Sequence, residues 1–204
     1  MLVIGLTGSI GMGKSTVATR LRALGIAVFD ADAEVHRLYE GAAVASIEAA
    51  FPGTTDGQRV DRQKLSAVLL ANPGDFQRLE AIVHPLVFAA ERAFLHEQAG
   101  RGAKFAVLEV PLLLESRRQP RVDTVIVVST RAELQRERVL RRPGMSVEKL
   151  EQVLARQMPD AEKRARADYV VDTSGTFAQT DAQVDRIVES LQHRRATAYE
   201  TFWA

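Results

Sequence analysis

The sequence contains no cysteine among its 204 residues. This absence excludes disulfide bonds, zinc sites built from thiolates and cysteine nucleophiles, and it favours a cytoplasmic protein. The chain also lacks an excess of charge of either sign, because 27 Lys and Arg residues stand against 26 Asp and Glu residues. Such a chain does not attract nucleic acid or an anionic membrane as a whole, so any anion-binding site must be local.

Long apolar runs are missing as well. The run at residues 2–6 is too short to cross a membrane or to serve as a signal peptide, so we expect no membrane contact. No feature of the sequence indicates an obligate protein partner. A hydrophobic content of 46% is nevertheless enough for a packed core, and the length fits one domain covering residues 1–204.

Short apolar segments alternate with helical patterns along much of the chain. This alternation is typical of a parallel sheet with helices on both faces, and we predict a three-layer α/β fold with about five strands. A helix is predicted from Lys14 to about Leu24. The predicted strands cover residues 2–6, 26–29, 105–108, 124–128 and 169–171.

The stretch between the second and third predicted strands is mostly helical. We therefore predict a core made of residues 1–32 and 103–204, with residues 33–102 forming an insert on the substrate side. Breaks are expected at 51–53 and 72–74, where Pro and Gly are adjacent. His84-Pro85 is expected to begin a helix, since Pro suits the first turn. The polar tail from about His193 is expected either to fray or to dock its aromatic residues on a neighbour.

The strongest local pattern is Gly8-Ser-Ile-Gly-Met-Gly-Lys14-Ser15, placed between the first predicted strand and a predicted helix. It matches the phosphate-binding loop G-x-x-x-x-G-K-[ST], in which backbone N–H groups and a helix N-terminus surround phosphates. Lys14 would reach the β- and γ-phosphates of ATP, and the Ser15 hydroxyl would bind Mg²⁺. The predicted nucleotide-binding residues are Gly8, Gly11, Met12, Gly13, Lys14, Ser15 and Thr16.

This pattern has two other interpretations. A Gly-rich turn with a solvated lysine would carry no chemistry. A dinucleotide-binding motif requires a third glycine or alanine where this chain has Thr16, so the spacing argues against it.

Further motifs follow in a fixed order over most of the chain. They are Asp30-Ala-Asp32, Val60-Asp61-Arg62, Leu79-Glu-Ala-Ile-Val-His84-Pro85, Glu109-Val-Pro111-Leu-Leu-Leu-Glu115, Arg156-Gln157 and Ala167-Asp168-Tyr-Val-Val-Asp172. With the phosphate-binding loop, this ordered set resembles the dephospho-CoA kinase family. The chain departs from the usual family pattern at Ser9, where glycine is common, and at Asp172-Thr173, where an acidic residue followed by asparagine is common.

The resemblance implies that ATP, with bound Mg²⁺, donates a phosphoryl group to the ribose 3′-hydroxyl of dephospho-CoA. These two small molecules would then be the partners of the chain. The resemblance also favours Asp32 as the general base, because a carboxylate just after the second strand can accept the hydroxyl proton. One of Asp30 and Asp32 is expected to act instead as the N-cap of the helix that follows.

A cluster of arginines precedes the Pro143-Gly144 turn, after which Ser146 is expected to cap a helix running to about Met158. We predict a lid over residues 136–158, whose guanidinium groups would neutralise charge on the transferred phosphoryl group. The alternative is a solvated face paired with neighbouring glutamates. The resemblance favours Arg142 as the catalytic arginine. The cluster consists of Arg131, Arg136, Arg138, Arg141 and Arg142.

Three more residues are candidates for the site. Glu109 ends the third predicted strand, where an acid can bind Mg²⁺ through water, although it is equally a charge at a loop edge. Arg62 is a candidate for substrate phosphates, with surface pairing to Asp61 as the alternative. His84 is a candidate substrate contact, and its alternative role is structural.

Other functions remain compatible with the phosphate-binding loop. One is a P-loop kinase acting on a nucleoside, a nucleotide or another small metabolite. Another is a nucleotide-binding switch, although a guanine-specific Asn-Lys-x-Asp motif is excluded because Asn72 is the only asparagine in the chain.

Overall fold

The computed structural model describes residues 1–72, 74–116 and 121–204. The chain divides into two compact units. The first unit contains Met1–Phe29 and Leu95–Ala204, and the second contains Asp30–Phe94.

The described residues form a five-stranded parallel sheet. Its strands are β1 Leu2–Thr7, β2 Ala27–Asp30, β3 Phe105–Glu109, β4 Thr124–Ser129 and β5 Tyr169–Asp172. They lie in the order β2-β3-β1-β4-β5, so β1 is central. Strand β1 pairs with β3 from Leu2 opposite Phe105 to Leu6 opposite Glu109. On its other side, it pairs with β4 from Ile4 opposite Thr124 to Thr7 opposite Val127. The predicted parallel α/β fold is confirmed, and each predicted strand is present within one residue of its expected start.

Helices connect and cover the strands. They are α1 Lys14–Ala23, α2 Ala31–Leu38, α3 Val44–Ala50, α4 Arg62–Ala71, α5 Asp75–Gly100, α6 Ala132–Leu140, α7 Val147–Leu154, α8 Asp160–Ala165 and α9 Phe177–Leu191. A π-helical turn, Tyr199–Trp203, ends the chain.

The core of the first unit lies on both faces of β1. Leu2, Ile4 and Leu6 point to one face and belong to a buried cluster with residues of α1 and α9, such as Leu21 and Leu191. Residues on the opposite face of β1, such as Val3, are also fully buried. Burying each large apolar side chain contributes about 1.5 to 3 kcal/mol. A strand buried on both faces explains the unbroken apolar run in the sequence.

Side-chain caps fix the starts of two helices of the first unit, α7 and α9. Ser146 caps α7 by accepting a hydrogen bond from the Lys149 backbone N–H at 3.3 Å, as predicted. The helix ends at Leu154 rather than at about Met158, because the chain turns there toward α8. Thr176 and Gln179 form a reciprocal capping box at the start of α9.

The C-terminal tail is fixed within the first unit. Trp203 is only 1% exposed, and its indole N–H donates a hydrogen bond to the Arg121 carbonyl at 2.8 Å. The Tyr199 ring meets the His96 ring edge-on, with centroids 5.8 Å apart. The Asp123 carboxylate accepts hydrogen bonds from the backbone N–H groups of Thr197 and Ala198. The tail therefore docks on its own chain instead of fraying.

The second unit consists of α2, α3, α4 and most of α5, with one isolated antiparallel bridge between Thr55 and Val60. Glu48 holds the loop after α3 by accepting hydrogen bonds from the Gly53 and Thr55 backbone N–H groups. These bonds, the one from Gly53 first, lower the pKa of Glu48. The loop is therefore closed by a carboxylate rather than by a strand ladder.

Pro85 lies inside α5 and does not begin a helix, so the prediction for His84-Pro85 is wrong. A proline in a helix interior costs about 3 kcal/mol relative to alanine, since it lacks an N–H group. The helix continues because buried residues recur every four positions across the proline, at Leu79, Val83 and Val87. Within the described residues, no helix is long and apolar enough to cross a membrane.

Candidate active site

The phosphate loop, residues 8–15, follows the C-terminal end of the central strand β1 and leads into α1. Gly13 stands before the first residue of α1 with φ 93° and ψ 24°, a left-handed conformation that favours glycine. At Gly8, a Cβ atom would lie 2.5 Å from the Val128 carbonyl oxygen of β4. Glycine is thus required at the two ends of the loop, once for backbone conformation and once for close packing.

Lys14 and Ser15 begin α1 at the open end of this loop. The Lys14 ammonium group donates a hydrogen bond to the Gly8 carbonyl at 2.8 Å, so the side chain lies back across the loop. No side chain caps the helix, and Ser15 is exposed. A helix N-terminus with a lysine folded over its loop is a site for phosphate groups, because N–H dipoles and the ammonium charge converge there.

Thr173 braces the phosphate loop from the end of β5. Its hydroxyl donates to the Met12 carbonyl at 2.7 Å, and Arg138 donates to the same hydroxyl at 2.9 Å and to the Thr173 carbonyl at 2.7 Å. The Thr173 side chain also limits the space at Gly13, where a Cβ atom would lie 3.0 Å from its hydroxyl oxygen. The departure from the family pattern at this position therefore places a bracing residue under the loop.

Two glutamines contact the middle of the phosphate loop at Ile10. Gln157 accepts a hydrogen bond from the Ile10 backbone N–H at 3.0 Å. Gln135 donates a hydrogen bond to the Ile10 carbonyl at 2.8 Å. The loop is therefore held from the α6 side and from the segment after α7.

Glu109 is the last residue of β3 and lies beside Leu6 of β1, two residues before the phosphate loop begins. It is 8% exposed. The chain then continues to Pro111, whose carbonyl accepts hydrogen bonds from the Thr7 hydroxyl at 3.0 Å and from Lys163 at 3.1 Å. Glu109 and the phosphate loop are thus brought to the same edge of the sheet, because parallel strands end on the same side.

The fully buried Lys163 also pairs with Glu115, at 2.8 Å between the ammonium nitrogen and a carboxylate oxygen. The same carboxylate oxygen accepts a hydrogen bond from the Met158 backbone N–H at 2.8 Å. A buried charge is tolerated only when it is paired and hydrogen-bonded, as this one is. Lys163 therefore ties α8 to the loop after β3.

The oxygen-donor chemistry of the site fits Mg²⁺. The Ser15 hydroxyl and the Glu109 carboxylate are hard oxygen donors, the type that Mg²⁺ prefers. In the described ranges 1–72, 74–116 and 121–204, no group of three or more acidic or histidine side chains could hold a metal ion. Two donors suit an ion that is bound mainly by nucleotide phosphates and water.

The arginines of the predicted lid differ in their surroundings. Arg138 is bound to Thr173, as described above, and Arg141 pairs with Glu137 one turn earlier in the helical segment. Arg142 follows α6 and is exposed, as are Arg131 and Arg136. The structure thus gives Arg138 a bracing contact and leaves Arg142 at the surface of the first unit.

The loop after β5 carries a carboxylate next to this brace. Asp172 accepts a hydrogen bond from the Ser174 backbone N–H at 2.8 Å. Hydrogen bonds from the Ser174 side chain and backbone lower the pKa of Asp172, and the charges of Arg131 and Arg164 act in the same direction. Asp172 is therefore ionised at neutral pH and helps to fix the turn that follows Thr173.

Three predicted site residues lie in the second unit. Asp30 caps α2, accepting a hydrogen bond from the Ala33 backbone N–H at 3.0 Å, so the capping role belongs to Asp30. Asp32 is the second residue of α2 and is exposed, and His84 is exposed on α5. Arg62 begins α4 and lies near Tyr39. Burial raises the pKa of Tyr39, and the Arg62 charge opposes this rise only in part.

The contacts at Gln135, Gln157, Thr173 and Lys163 were not predicted from the sequence. Each joins residues far apart along the chain, as for Gln157 and Ile10 at a separation of 147 residues. Neutral amides and a threonine carry no spacing pattern that marks them as loop contacts. In the sequence, Gln157 stands out only as part of a family motif, and Thr173 only as a departure from the family pattern.

Comparison with known proteins gives a consistent result. The sequence model described as dephospho-CoA kinase matches residues 2–179. A dephospho-CoA kinase of Rhizobium meliloti is 53% identical over 192 residues, which cover 94% of this chain and 99% of the relative.

Solved structures agree with the sequence matches. A crystal structure from Thermus thermophilus is 35% identical with a TM-score of 0.82, covering 94% of this chain and 97% of the other. The dephospho-CoA kinase of Campylobacter jejuni is 25% identical with a TM-score of 0.69, covering 93% and 96%. Given the phosphate loop at the end of β1 and these matches across nearly the whole length, the chain belongs to the dephospho-CoA kinase family.

Proposed function

We propose that the chain transfers the γ-phosphoryl group of ATP to the ribose 3′-hydroxyl of dephospho-CoA, giving coenzyme A and ADP. The observation that carries this proposal is the complete phosphate loop in a chain that matches dephospho-CoA kinases over more than nine tenths of its length. In the reaction, the bond from phosphorus to the bridging oxygen of ADP breaks and a bond from phosphorus to the ribose oxygen forms. The hydroxyl proton leaves to a base.

The phosphate loop and Lys14 hold the donor. Backbone N–H groups of residues 8–16, with Gly8, Gly11, Met12, Gly13 and Thr16 among them, surround the phosphates. Lys14 then exchanges its contact with the Gly8 carbonyl for the β- and γ-phosphates. When bound with ATP, Mg²⁺ would neutralise charge on the β- and γ-phosphates. Ser15 and Glu109, the latter through water, would hold it.

Asp32 acts as the general base in this proposal. Its neighbour Asp30 already caps α2, which leaves Asp32 as the carboxylate of the pair without the capping role. Arg142 would neutralise the charge that develops on the transferred group. Arg62 and His84 would contact the acceptor.

Composition supports the proposed cellular setting. A cysteine-free chain with balanced charge supports a cytoplasmic enzyme whose partners are ATP and dephospho-CoA rather than nucleic acid or membrane.

The test is ADP release by the purified protein with Mg²⁺ and ATP. Dephospho-CoA is compared with adenosine, AMP, shikimate, gluconate and no acceptor, and the product is identified by mass spectrometry. We expect turnover with dephospho-CoA alone. Turnover with another acceptor of the panel would establish a different small-molecule kinase, and equal turnover without acceptor would favour a nucleotide-hydrolysing switch.

A further inference from the structure

Ile10, in the middle of the phosphate loop, is held through both of its backbone polar groups. Its N–H donates to the Gln157 side-chain oxygen at 3.0 Å, and its carbonyl accepts from the Gln135 side-chain nitrogen at 2.8 Å. The orientation of each amide is fixed by its partner, because a backbone N–H only donates and a carbonyl only accepts.

The two glutamines come from the two arms of one structure. We call α6, α7, the turn between them and the segment up to Met158 the arginine hairpin, residues 132–158. Gln135 lies on α6 and is only 7% exposed, and Gln157 follows α7. The two hydrogen bonds at Ile10 therefore join the phosphate loop to both arms of the hairpin that carries Arg138 and Arg142.

The Gln157 arm is itself anchored to the rest of the first unit. Met158, the next residue, donates its backbone N–H to Glu115 at 2.8 Å, and Glu115 pairs with the buried Lys163 at 2.8 Å. Lys163 also donates to the Pro111 carbonyl, which accepts a bond from Thr7 at the end of β1. The contacts thus run from the phosphate loop through the hairpin and back to the strand that carries the loop.

A triphosphate requires this loop to keep its shape over its whole length, since successive N–H groups must point at successive phosphates. The hydrogen bonds at Ile10 are part-buried, so losing one partner favours a rearranged loop. A misplacement of about 1 Å at a reacting centre can cost about 100-fold in rate. The hydrogen bonds at Ile10 act on the middle of the loop, before the residues that begin α1.

We propose that Gln135 and Gln157 are positioning residues for ATP. They hold the middle of the phosphate loop in the conformation that accepts a triphosphate. They also fix the position of the arginine hairpin relative to that loop. This inference rests on ATP as the donor in the proposed function, but not on the identity of the acceptor.

The test uses nearly isosteric substitutions that remove one hydrogen bond each: Gln135→Met and Gln157→Met. A milder variant, Gln157→Asn, shortens the side chain by one methylene group and keeps the amide. The matched control is Gln192→Met, because Gln192 is exposed after α9, away from the loop. For each full-length protein, the dissociation constants of ATP and AMP are measured by calorimetric titration with Mg²⁺, together with the thermal midpoint.

We expect the Met variants at 135 and 157 to bind ATP about tenfold more weakly, while AMP binding stays within about twofold. AMP has a single phosphate, which the first turn of α1 can hold. The Gln157→Asn protein should show a smaller loss of the same kind, and it carries the test if Gln157→Met does not fold. Gln192→Met should bind both nucleotides as the unchanged protein does.

The double variant provides a second readout. Because both glutamines hold the same backbone residue, the combined loss of ATP affinity should be smaller than the product of the single losses. Equal weakening of ATP and AMP, or a lower thermal midpoint with unchanged ATP affinity, would overturn the inference and leave only a structural role. No acceptor enters these titrations, so failure of the acceptor panel with normal ATP binding would contradict the proposed reaction alone.

Discussion

Neighbouring carboxylates in this chain have different surroundings at the scale of single residues. Asp30 caps α2 by accepting a hydrogen bond from the first turn, whereas Asp32, two positions later, lies within the helix and is exposed. The difference arises because an N-cap must precede the helix with an extended backbone, a condition that Asp30 meets with φ −102° and ψ 107°. Substitutions at the two positions can therefore separate capping from catalysis.

Asp32→Asn is expected to leave ATP binding nearly unchanged and to lower kcat with dephospho-CoA by about 100-fold or more, the typical contribution of a general base. Asp30→Asn is the matched control, since asparagine caps helices as well as aspartate does. Steady-state kinetics and ATP titration of both proteins provide the measurement. A near-normal kcat for Asp32→Asn would show that another group takes the proton.

Thr173 illustrates how one hydroxyl can hold several elements. It links the Met12 carbonyl of the phosphate loop to the Arg138 guanidinium group, and it is 4% exposed. Thr173→Val keeps the shape but removes the hydrogen bonds of the hydroxyl to Met12 and to Arg138, while Arg138 keeps its bond to the backbone carbonyl of residue 173. We expect it to lower the free energy of unfolding by about 1 to 3 kcal/mol and to weaken ATP binding.

Thr173→Ser keeps the hydroxyl and should bind ATP almost as tightly as the unchanged protein. Urea unfolding followed by circular dichroism, with nucleotide titration, compares the two variants. If Val and Ser at this position behave alike, the hydroxyl does not brace the loop.

At the scale of elements, α5 tolerates a proline because its buried stripe continues on both sides of it. The ring removes one backbone hydrogen bond, and the lost contribution is offset by burial of apolar side chains such as Val83 and Val87. Pro85→Ala should therefore raise the free energy of unfolding by about 1 to 3 kcal/mol, since alanine restores the N–H group.

Urea unfolding of Pro85→Ala and of Glu80→Ala, an exposed position on the same helix, measures this effect. A lower stability of Pro85→Ala would indicate that the backbone geometry at the proline is itself required. The effect on kcat should be measured in parallel, because His84 precedes the proline.

The elements differ in how far their sequences predict them. β1 and β4 are apolar except for Thr or Ser at their ends and are buried on both faces, so their positions follow from composition alone. The cap at Ser146 is equally local. In α5, by contrast, the proline rule favours a helix start, and only a stripe of burial spread over many turns overrides it. A local rule such as the one for proline therefore gives the wrong helix start where the burial of side chains from several turns determines the structure.

At the scale of the whole molecule, the phosphate loop is predictable and its supports are not. Residues 8–15 are contiguous, and a glycine pattern between a strand and a helix is visible in the sequence. The supporting groups Gln135 and Gln157 lie 125 and 147 residues from Ile10 and become neighbours only in the folded chain. The family resemblance, confirmed by the comparisons, supplied the acceptor, which no local pattern specifies.

The docked tail makes a prediction for the molecule as a whole. Trp203→Ala should lower the free energy of unfolding by about 3 to 5 kcal/mol, because it removes a buried aromatic ring and its bond to the Arg121 carbonyl. Phe202→Ala is the control, since Phe202 is 43% exposed. Circular dichroism in urea gives both values. Comparable losses at the two positions would mean that the tail is not anchored by Trp203.

Trp203 is also the only tryptophan of the chain, and it lies in the first unit. Its intrinsic fluorescence therefore reports the nucleotide-binding unit selectively, whereas the second unit contributes no indole emission. Comparing the emission of this natural probe with the loss of total helical signal can reveal whether the two units lose their structure together or in turn. The molecule carries its own optical label for that experiment.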